Sequence, residues 1–114
     1  MDNYENSLDS VFHALADPTR RAVIERLSQK ASTISELAEP FNMALPSFMK
    51  HIGVLEKSGL IDSKKVGRVR TCEIKPEALS ATQTWLDEQR ALWEGRTDRL
   101  AEYVENLTKE EQSK

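Results

Sequence analysis

The sequence predicts a mainly helical α+β protein whose elements follow the order α-α-α-α-β-β-α. Apolar residues recur every three or four positions over most of the chain, as one face of a helix requires. Between residues 61 and 74 the pattern instead alternates on either side of Gly67, which is typical of a small β-hairpin. A chain of 114 residues has the length of a single domain.

The first two helices are predicted to meet at Asp17-Pro18. The first covers about residues 6–16, with Asn6 or Ser7 as its N-cap, and places four apolar residues at helical spacing: Leu8, Val11, Phe12 and Leu15. In the second, Asp17 is the N-cap and Pro18 takes the first position, where its missing N–H is not needed. Its inward-facing residues are Ala22, Val23, Ile24 and Leu27.

The third helix is predicted to begin at a capping box formed by Thr33 and Glu36, and Pro40 limits its length. The fourth helix covers residues 45–58 and ends at Gly59. One of its faces is apolar and is predicted to join the core: Leu45, Phe48, Ile52 and Leu55. The opposite face carries Pro46, Ser47, Lys50, Gly53 and Lys57, and His51 lies on the flank between the two faces.

The predicted hairpin is strongly basic around its turn, since it carries Lys64, Lys65, Arg68 and Arg70. In its second strand Cys72 alternates inward with Ile74. This position indicates a small core residue rather than a redox switch.

A long last helix is predicted over about residues 77–107, followed by a disordered tail at residues 108–114. Five of its apolar residues are spaced seven apart: Leu79, Leu86, Trp93, Leu100 and Leu107. The companion positions are mostly polar, so a free-standing coiled coil is not predicted. Two interpretations remain: the helix packs on its own core, or it forms a dimer interface to which Tyr103 contributes. A stripe of this size is too large for so small a domain to cover, which favours the dimer.

The net charge of −3 conceals an uneven distribution. Residues 42–75 carry seven Lys and Arg against three Asp and Glu, whereas the segments before and after them have net charges of −3 and −4. A basic block between acidic segments indicates a local surface for a polyanion such as nucleic acid. The alternative is that these seven cations merely solvate one face of the protein.

Composition narrows the class of function further. Aromatic residues make up 6% of the chain, which leaves little material for stacking single-stranded bases. The single Cys excludes an intramolecular disulfide, the first ten residues are acidic and polar rather than signal-like, and no apolar run approaches the roughly 18 residues that span a bilayer. The sequence therefore predicts a cytoplasmic protein. It carries no phosphate-binding glycine loop, paired-His motif or nucleophile signature, so no enzyme is predicted.

Three blocks resemble, in order and spacing, the ArsR-type (arsenic-repressor-like) transcriptional regulators: ALADPTRRAVIERL (14–27), LPSFMKHIGVLEKSGLI (45–61) and GRVRTCEIKPEAL (67–79). The resemblance covers residues from about 8 to 107. It implies a winged helix-turn-helix fold and a homodimer that binds double-stranded DNA. Members of the family are usually repressors controlled by a metal or another effector.

The sequence departs from the metal-sensing members of that family. Where they carry Cys-Val-Cys-Asp-Leu, this chain has TISEL at residues 33–37, and neutral hydroxyls are poor ligands for soft metals. The family's other site uses Asp and His ligands on the last helix, but no His follows His51. His13 and His51 alone fall short of a zinc site. No metal and no cofactor is therefore predicted, and the effector stays open.

The resemblance assigns helix 45–58 to the DNA major groove and hairpin 61–74 to the wing beside it. The predicted DNA contacts are Pro46, Ser47, Lys50, His51, Lys64, Lys65, Arg68 and Arg70. Lys50 suits a phosphate or a guanine edge, and Pro46 and Ser47 would lie deepest in the groove. For His51 two roles remain, a hydrogen bond to a phosphate or one within the fold. Arg20 and Arg21 are interpreted as mainly structural, with a phosphate contact as the second option.

The predicted mode of action is repression by a homodimer that pairs through residues 79–107, with help from residues 5–16. Its two copies of helix 45–58 would enter successive major grooves of a palindromic operator. The competing hypothesis is a winged-helix module that binds protein instead of DNA. The basic block favours DNA, because a module that binds only protein has no need of it.

Overall fold

The computed structural model describes residues 3–112, without the side chains of residues 3–7, 97 and 110–112. The elements are α1 (Asn3–Leu15), α2 (Pro18–Gln29), β1 (Ser32–Thr33), α3 (Ile34–Ala38), α4 (Leu45–Lys57), β2 (Ile61–Val66), β3 (Val69–Ile74) and α5 (Pro76–Gln112). The chain divides into two compact units, one up to Thr82 and one from Gln83 onward. The second unit consists of the larger part of α5.

Local capping explains where α2 and α3 begin. Asp17 Oδ2 accepts a hydrogen bond from the backbone N–H of Arg20 at 3.1 Å, and Pro18 follows in the first position of α2. The capping box of α3 is also present, with Thr33 Oγ1 accepting from the N–H of Glu36 at 3.1 Å and Glu36 Oε1 accepting from the N–H of Thr33 at 2.9 Å. Both predicted caps are confirmed.

The pKa values of the two capping carboxylates, Glu36 and Asp17, lie below their usual values. The backbone N–H and the hydroxyl of Thr33 hold the pKa of Glu36 below its usual value. Desolvation acts to raise the pKa of Asp17, but the N–H of Arg20 and the nearby His51 and Arg20 side chains outweigh it. The pKa of Asp17 therefore also lies below its usual value.

The first helix begins earlier than predicted. α1 starts at Asn3, so Asn6 and Ser7 lie inside the helix and the prediction of either as N-cap is wrong. Ser and Asn at such positions can cap a helix but do not force one to begin there.

The predicted hairpin is confirmed, and a third strand extends it. β2 pairs with β3 in antiparallel register from Ile61 opposite Ile74 to Val66 opposite Val69. Gly67 supplies the positive φ of +64° that a two-residue hairpin turn needs at its first position. β1 pairs on the other side of β3, with Ser32 opposite Cys72, and gives the strand order β1-β3-β2. The predicted element order lacked β1, because two residues show no alternation to detect.

The core lies in the first unit and is centred on α4. Phe48, Ile52 and Leu55 are fully buried, as predicted. They pack with Val11, Ala14, Val23, Leu27, Leu37, Leu60, Ile61 and Cys72. The helix α4 ends at Lys57, with Gly59 at a φ of +81° directly after the Ser58 cap.

Two residues predicted for the core lie at the surface. Leu45 is 57% exposed, because it is the first residue of α4 and lies a turn away from the buried part of that helix. Phe12 is 39% exposed, because Val11 and Ala14 occupy the buried face of α1 and Phe12 lies about 100° around the helix from Val11. Helical spacing identified an apolar face in both cases but not its edges.

The last helix runs past its predicted end. α5 continues to Gln112, so residues 108–112, predicted as a disordered tail, belong to the helix, and residues 113 and 114 lie outside the described residues. Leu79 is partly buried against the core of the first unit. Beyond it the large apolar side chains Leu86, Leu92, Trp93, Leu100, Tyr103, Val104 and Leu107 are 41–67% exposed.

Candidate nucleic-acid interface

The outward face of α4 presents the residues predicted to enter a major groove. Pro46 and Ser47 lie exposed in the first turn, and Lys50 is exposed one turn further on. The N-cap of α4 is Ala44, whose side chain makes no capping hydrogen bond. Pro46 has no N–H, and the N–H of Phe48 donates to the carbonyl of Ala44 at 3.1 Å. Leu45 and Ser47 therefore supply the uncapped N–H groups of the first turn, where the positive end of the helix dipole also favours an anion.

The β2–β3 hairpin, called the wing below, presents three exposed cations: Lys64, Lys65 and Arg68. Within the described residues, neither these three side chains nor Lys50 take part in a hydrogen bond or an ion pair. A groove of about 700 Å³ lies beside the wing, lined by Thr33, Ser35, Met49, Lys65 and Arg68 among others. The groove therefore joins the start of α3 and the middle of α4 to the basic wing.

Arg70, predicted to contact DNA, is engaged within the protein. Its Nη2 donates to both carboxylate oxygens of Glu56, at 2.8 and 3.0 Å, and its Nε donates to Ser63 Oγ at 2.9 Å. Glu56 belongs to α4 and Arg70 to β3, so this ion pair links the wing to the helix that it flanks. Arg70 thus differs from the three exposed cations of the same hairpin.

His51 contacts the start of α2. Its Nδ1 lies 3.1 Å from Nη1 of Arg20 and 3.7 Å from Oδ2 of Asp17, and its side chain is 22% exposed. Of the two roles left open by the sequence, the hydrogen bond within the fold is therefore present. We call these three residues the Asp17–Arg20–His51 junction. Nothing in the sequence pairs His51 with residues about 30 positions earlier, so sequence reasoning could not find this junction.

Arg20 and Arg21 stabilise the end of α1. Arg20 donates from Nε to the carbonyl of Ala14 at 2.8 Å and from Nη2 to that of His13 at 3.0 Å, and Arg21 donates from Nη1 to the carbonyl of Leu15 at 2.8 Å. The carbonyl of His13 also accepts the N–H of Ala16 at 3.2 Å, whereas those of Ala14 and Leu15 lie in the last turn, where the helix itself supplies no donor. Two cations at a helix C-terminus also offset its dipole. The structural role predicted for both arginines is confirmed.

Cys72 is fully buried in the core, as predicted. Burial, reinforced by the nearby Glu56 carboxylate and opposed by Arg70, raises the pKa of its thiol. Burial and the raised pKa both disfavour the thiolate, which agrees with a small core residue rather than a redox switch.

The part of the chain that the structure describes shows neither a metal-binding cluster nor a membrane-spanning helix. Over residues 3–112, no three His, Cys, Asp or Glu side chains gather closely enough to hold a metal ion. None of the described helices is both long and apolar enough to cross a membrane.

The helices α2 and α3 lead into α4, which has one exposed face, and a basic wing follows. This is the arrangement of a winged helix-turn-helix DNA-binding protein. Comparison with known proteins gives the same class. The sequence model of a helix-turn-helix domain matches residues 15–64.

Individual relatives extend the match over most of the chain. The HTH-type transcriptional regulator Rv2034 of Mycobacterium tuberculosis (strain ATCC 25618 / H37Rv) is 36% identical over 81 residues, which is 71% of this chain and 76% of the relative. The transcriptional repressor SdpR of Bacillus subtilis (strain 168) is 28% identical over 79 residues, 69% of this chain and 88% of the relative. The crystal structure of an ArsR family transcriptional regulator, RHA00566, is 60% identical with a TM-score of 0.77, and the match covers 82% of this chain and 97% of that one.

The chain belongs to the ArsR family of helix-turn-helix transcriptional regulators. The predicted family, fold class and function as a DNA-binding transcription regulator, not an enzyme, are confirmed. The family does not by itself identify which side chains contact DNA.

Proposed function

We propose that the protein represses transcription by binding an operator as a homodimer, with α4 in the major groove and the wing on the adjacent backbone. The observation that carries this proposal is the division among the cations. Lys50, Lys64, Lys65 and Arg68 are exposed without partners among the described residues, whereas Arg20, Arg21 and Arg70 are held by protein groups. The four exposed cations lie on the two elements that flank one groove.

Each part of this surface has a role that follows from its chemistry. Pro46 and Ser47, at the N-terminus of α4, reach base edges, and Lys50 contacts a guanine edge or a phosphate. Lys64, Lys65 and Arg68 neutralise backbone phosphates, one of which lies at the groove that contains the hydroxyls of Thr33 and Ser35. Arg70 is held by Glu56 and is therefore not one of the proposed DNA contacts.

The dimer forms through the exposed apolar stripe of α5. Leu86, Trp93, Leu100 and Leu107 recur every seven residues, Tyr103 extends the stripe, and all five are exposed in the single chain. Leu79, predicted as part of this interface, contributes less because it packs against its own core. A palindromic operator requires two copies of the recognition helix about 34–36 Å apart, and a dimer supplies two copies of α4.

Repression follows if the occupied operator overlaps a promoter and excludes polymerase. SdpR is itself a repressor, which agrees with this assignment. A protein that acts on chromosomal DNA belongs in the cytoplasm. No effector is proposed.

The proposal is tested by measuring operator binding over a range of salt concentrations in the wild type and in two variants, Lys50→Ala and Arg68→Ala. Each phosphate contact contributes about −0.9 to the log–log slope of affinity against salt, so Arg68→Ala should flatten the slope by about that amount. Lys50→Ala should weaken binding about tenfold. If Lys50 contacts a guanine edge, Lys50→Ala should weaken binding to the operator more than binding to unrelated DNA.

The matched control is Lys57→Ala, which removes the same charge from the last turn of α4, two turns away from Lys50. Lys57 is exposed, so its loss should leave the fold intact and change affinity only by a general electrostatic effect. Equal losses from Lys57→Ala and Lys50→Ala would contradict the proposed placement of α4. Unchanged affinity in both Lys50→Ala and Arg68→Ala would refute the interface as a whole.

A further inference from the structure

The guanidinium of Arg20 is fixed in place by two different elements. Two of its nitrogens donate to the carbonyls of His13 and Ala14 at the end of α1, and the third, Nη1, lies 3.1 Å from Nδ1 of His51 on α4. The α1 contacts therefore hold Nη1 against the imidazole ring. Asp17 Oδ2 is further from Nδ1, at 3.7 Å, and accepts the backbone N–H of Arg20 instead.

This contact determines which nitrogen of His51 carries the proton. A guanidinium has five N–H donors and no acceptor, so Nδ1 must accept and cannot itself be protonated. In the neutral ring the proton then sits on Nε2, since one nitrogen accepts and the other donates.

The protonated nitrogen is available to solvent. No hydrogen bond of Nε2 exists within the described residues, yet none of their buried polar side-chain atoms lacks a partner. Nε2 is therefore not fully buried, and the His51 side chain as a whole is 22% exposed. It lies one residue from Lys50, on the helix proposed to enter the major groove.

We infer that Arg20 is a positioning residue for DNA binding and acts through His51: its hydrogen bond fixes the imidazole as the Nε2–H tautomer, whose N–H donates to a DNA phosphate. This rests on the proposed function, because it assigns a contact within the same interface. It also unites the two roles left open for His51, since one ring nitrogen bonds within the fold and the other faces DNA. Arg20 itself does not touch DNA.

The tautomer is measured directly on the full chain without DNA. Two-bond ¹H–¹⁵N correlation spectra distinguish a ring protonated at Nε2 from one protonated at Nδ1 and from one that carries both protons. The wild type should show His51 as the Nε2–H tautomer. A protonated Nδ1, or an equal mixture of the two tautomers, would overturn the inference.

The effect on DNA binding is measured with a double-mutant cycle of Arg20→Ala and His51→Ala. His51→Ala should weaken operator binding about tenfold, as expected for one hydrogen bond to a charged group. Arg20→Ala should weaken operator binding by a similar factor when His51 is present, but by no more than about twofold in the His51→Ala background. Equal costs in both backgrounds would show that Arg20 acts only through the stability of α1, and the inference would be wrong.

Arg21→Ala provides the matched control. It removes the neighbouring hydrogen bond to the end of α1 without touching His51, so it should reduce stability but leave the tautomer and His51-dependent binding unchanged. If Arg20→Ala does not fold, Arg20→Lys replaces it, because a lysine cannot donate to both α1 and the ring as the planar guanidinium does. A wild type that binds no DNA would refute the proposed function, whereas the tautomer measurement would still test the inference about Arg20.

Discussion

Most large apolar side chains up to Thr82 are buried or partly buried, whereas most of those from Gln83 onward are exposed. In the first unit Phe48, Ile52 and Leu55 have no exposed surface, but on α5 Trp93 and Leu100 are each more than 60% exposed. Burial within one chain stabilises its fold, at about 25 cal/mol for each Å² of apolar surface removed from water. An exposed apolar stripe of this length on a DNA-binding protein instead indicates a surface for a second chain.

The cations divide in a similar way within the first unit. Arg20, Arg21 and Arg70 hold elements together, and Lys50 and Arg68 extend into solvent without partners among the described residues. Residue type alone does not separate the two groups. What separates them is whether the fold brings an acceptor within reach.

The largest expected effect is the replacement of a buried residue in the first unit. Phe48→Ala should reduce the free energy of unfolding by about 3–5 kcal/mol, because it leaves a cavity in the centre of the core. Leu45→Ala, on the same helix but largely exposed, should cost less than about 0.5 kcal/mol. Chemical denaturation measures both, and a similar cost for the two would contradict the burial of α4 described above.

A smaller effect is expected from the exposed stripe. Leu100→Asp should weaken the proposed dimer by about 2 kcal/mol while leaving the fold of the first unit intact, because Leu100 is exposed in the single chain and packs against the partner only in that dimer. Sedimentation equilibrium reports the dimer affinity and circular dichroism the fold. Glu102→Ala, on another face of α5, is the control and should leave the affinity unchanged. A loss of the folded circular dichroism signal with unchanged dimer affinity would show that Leu100 stabilises the fold and not the dimer.

Removal of the α2 cap should cost about 1 kcal/mol, as N-cap replacements usually do. Asp17→Ala removes the acceptor for the N–H of Arg20. Because the pKa of Asp17 is lowered in the folded protein, the carboxylate contributes stability that is fully present above about pH 4 and is lost as the pH falls through the lower folded value. The difference in unfolding free energy between wild type and variant should therefore shrink in acid. A constant difference over that range would show that the charge of Asp17 does not matter.

The smallest effect on stability is expected at the link between α4 and the wing. Glu56→Gln should cost less than about 1 kcal/mol, because the ion pair with Arg70 is partly exposed. It also releases the charge of Arg70, so operator binding should strengthen by a few-fold and its salt slope should steepen by up to about 0.9. Weaker binding would show instead that the wing must be held by Glu56 in order to contact DNA.

Several features were predictable from the sequence because the interactions that form them are local. The Asp17 cap, the capping box of Thr33 and Glu36, and the turn at Gly67 each depend on residues within about four positions of one another. The buried face of α4 follows from helical spacing in the same way. The basic block at residues 42–75 is likewise visible in the sequence alone.

Other features depend on residues that only folding brings together. Arg20 and His51 are 31 positions apart and Glu56 and Arg70 are 14 apart, and no local pattern signals either contact. The pairing of β1 with β3 is equally non-local.

The family, the order of the long elements and the location of the charge follow from the sequence. Which cations are held, which are exposed and which residues His51 contacts depend on the folded chain. The physical reason is that capping and amphipathic spacing act along the chain, whereas an ion pair or a hydrogen bond between side chains depends on distances across the fold.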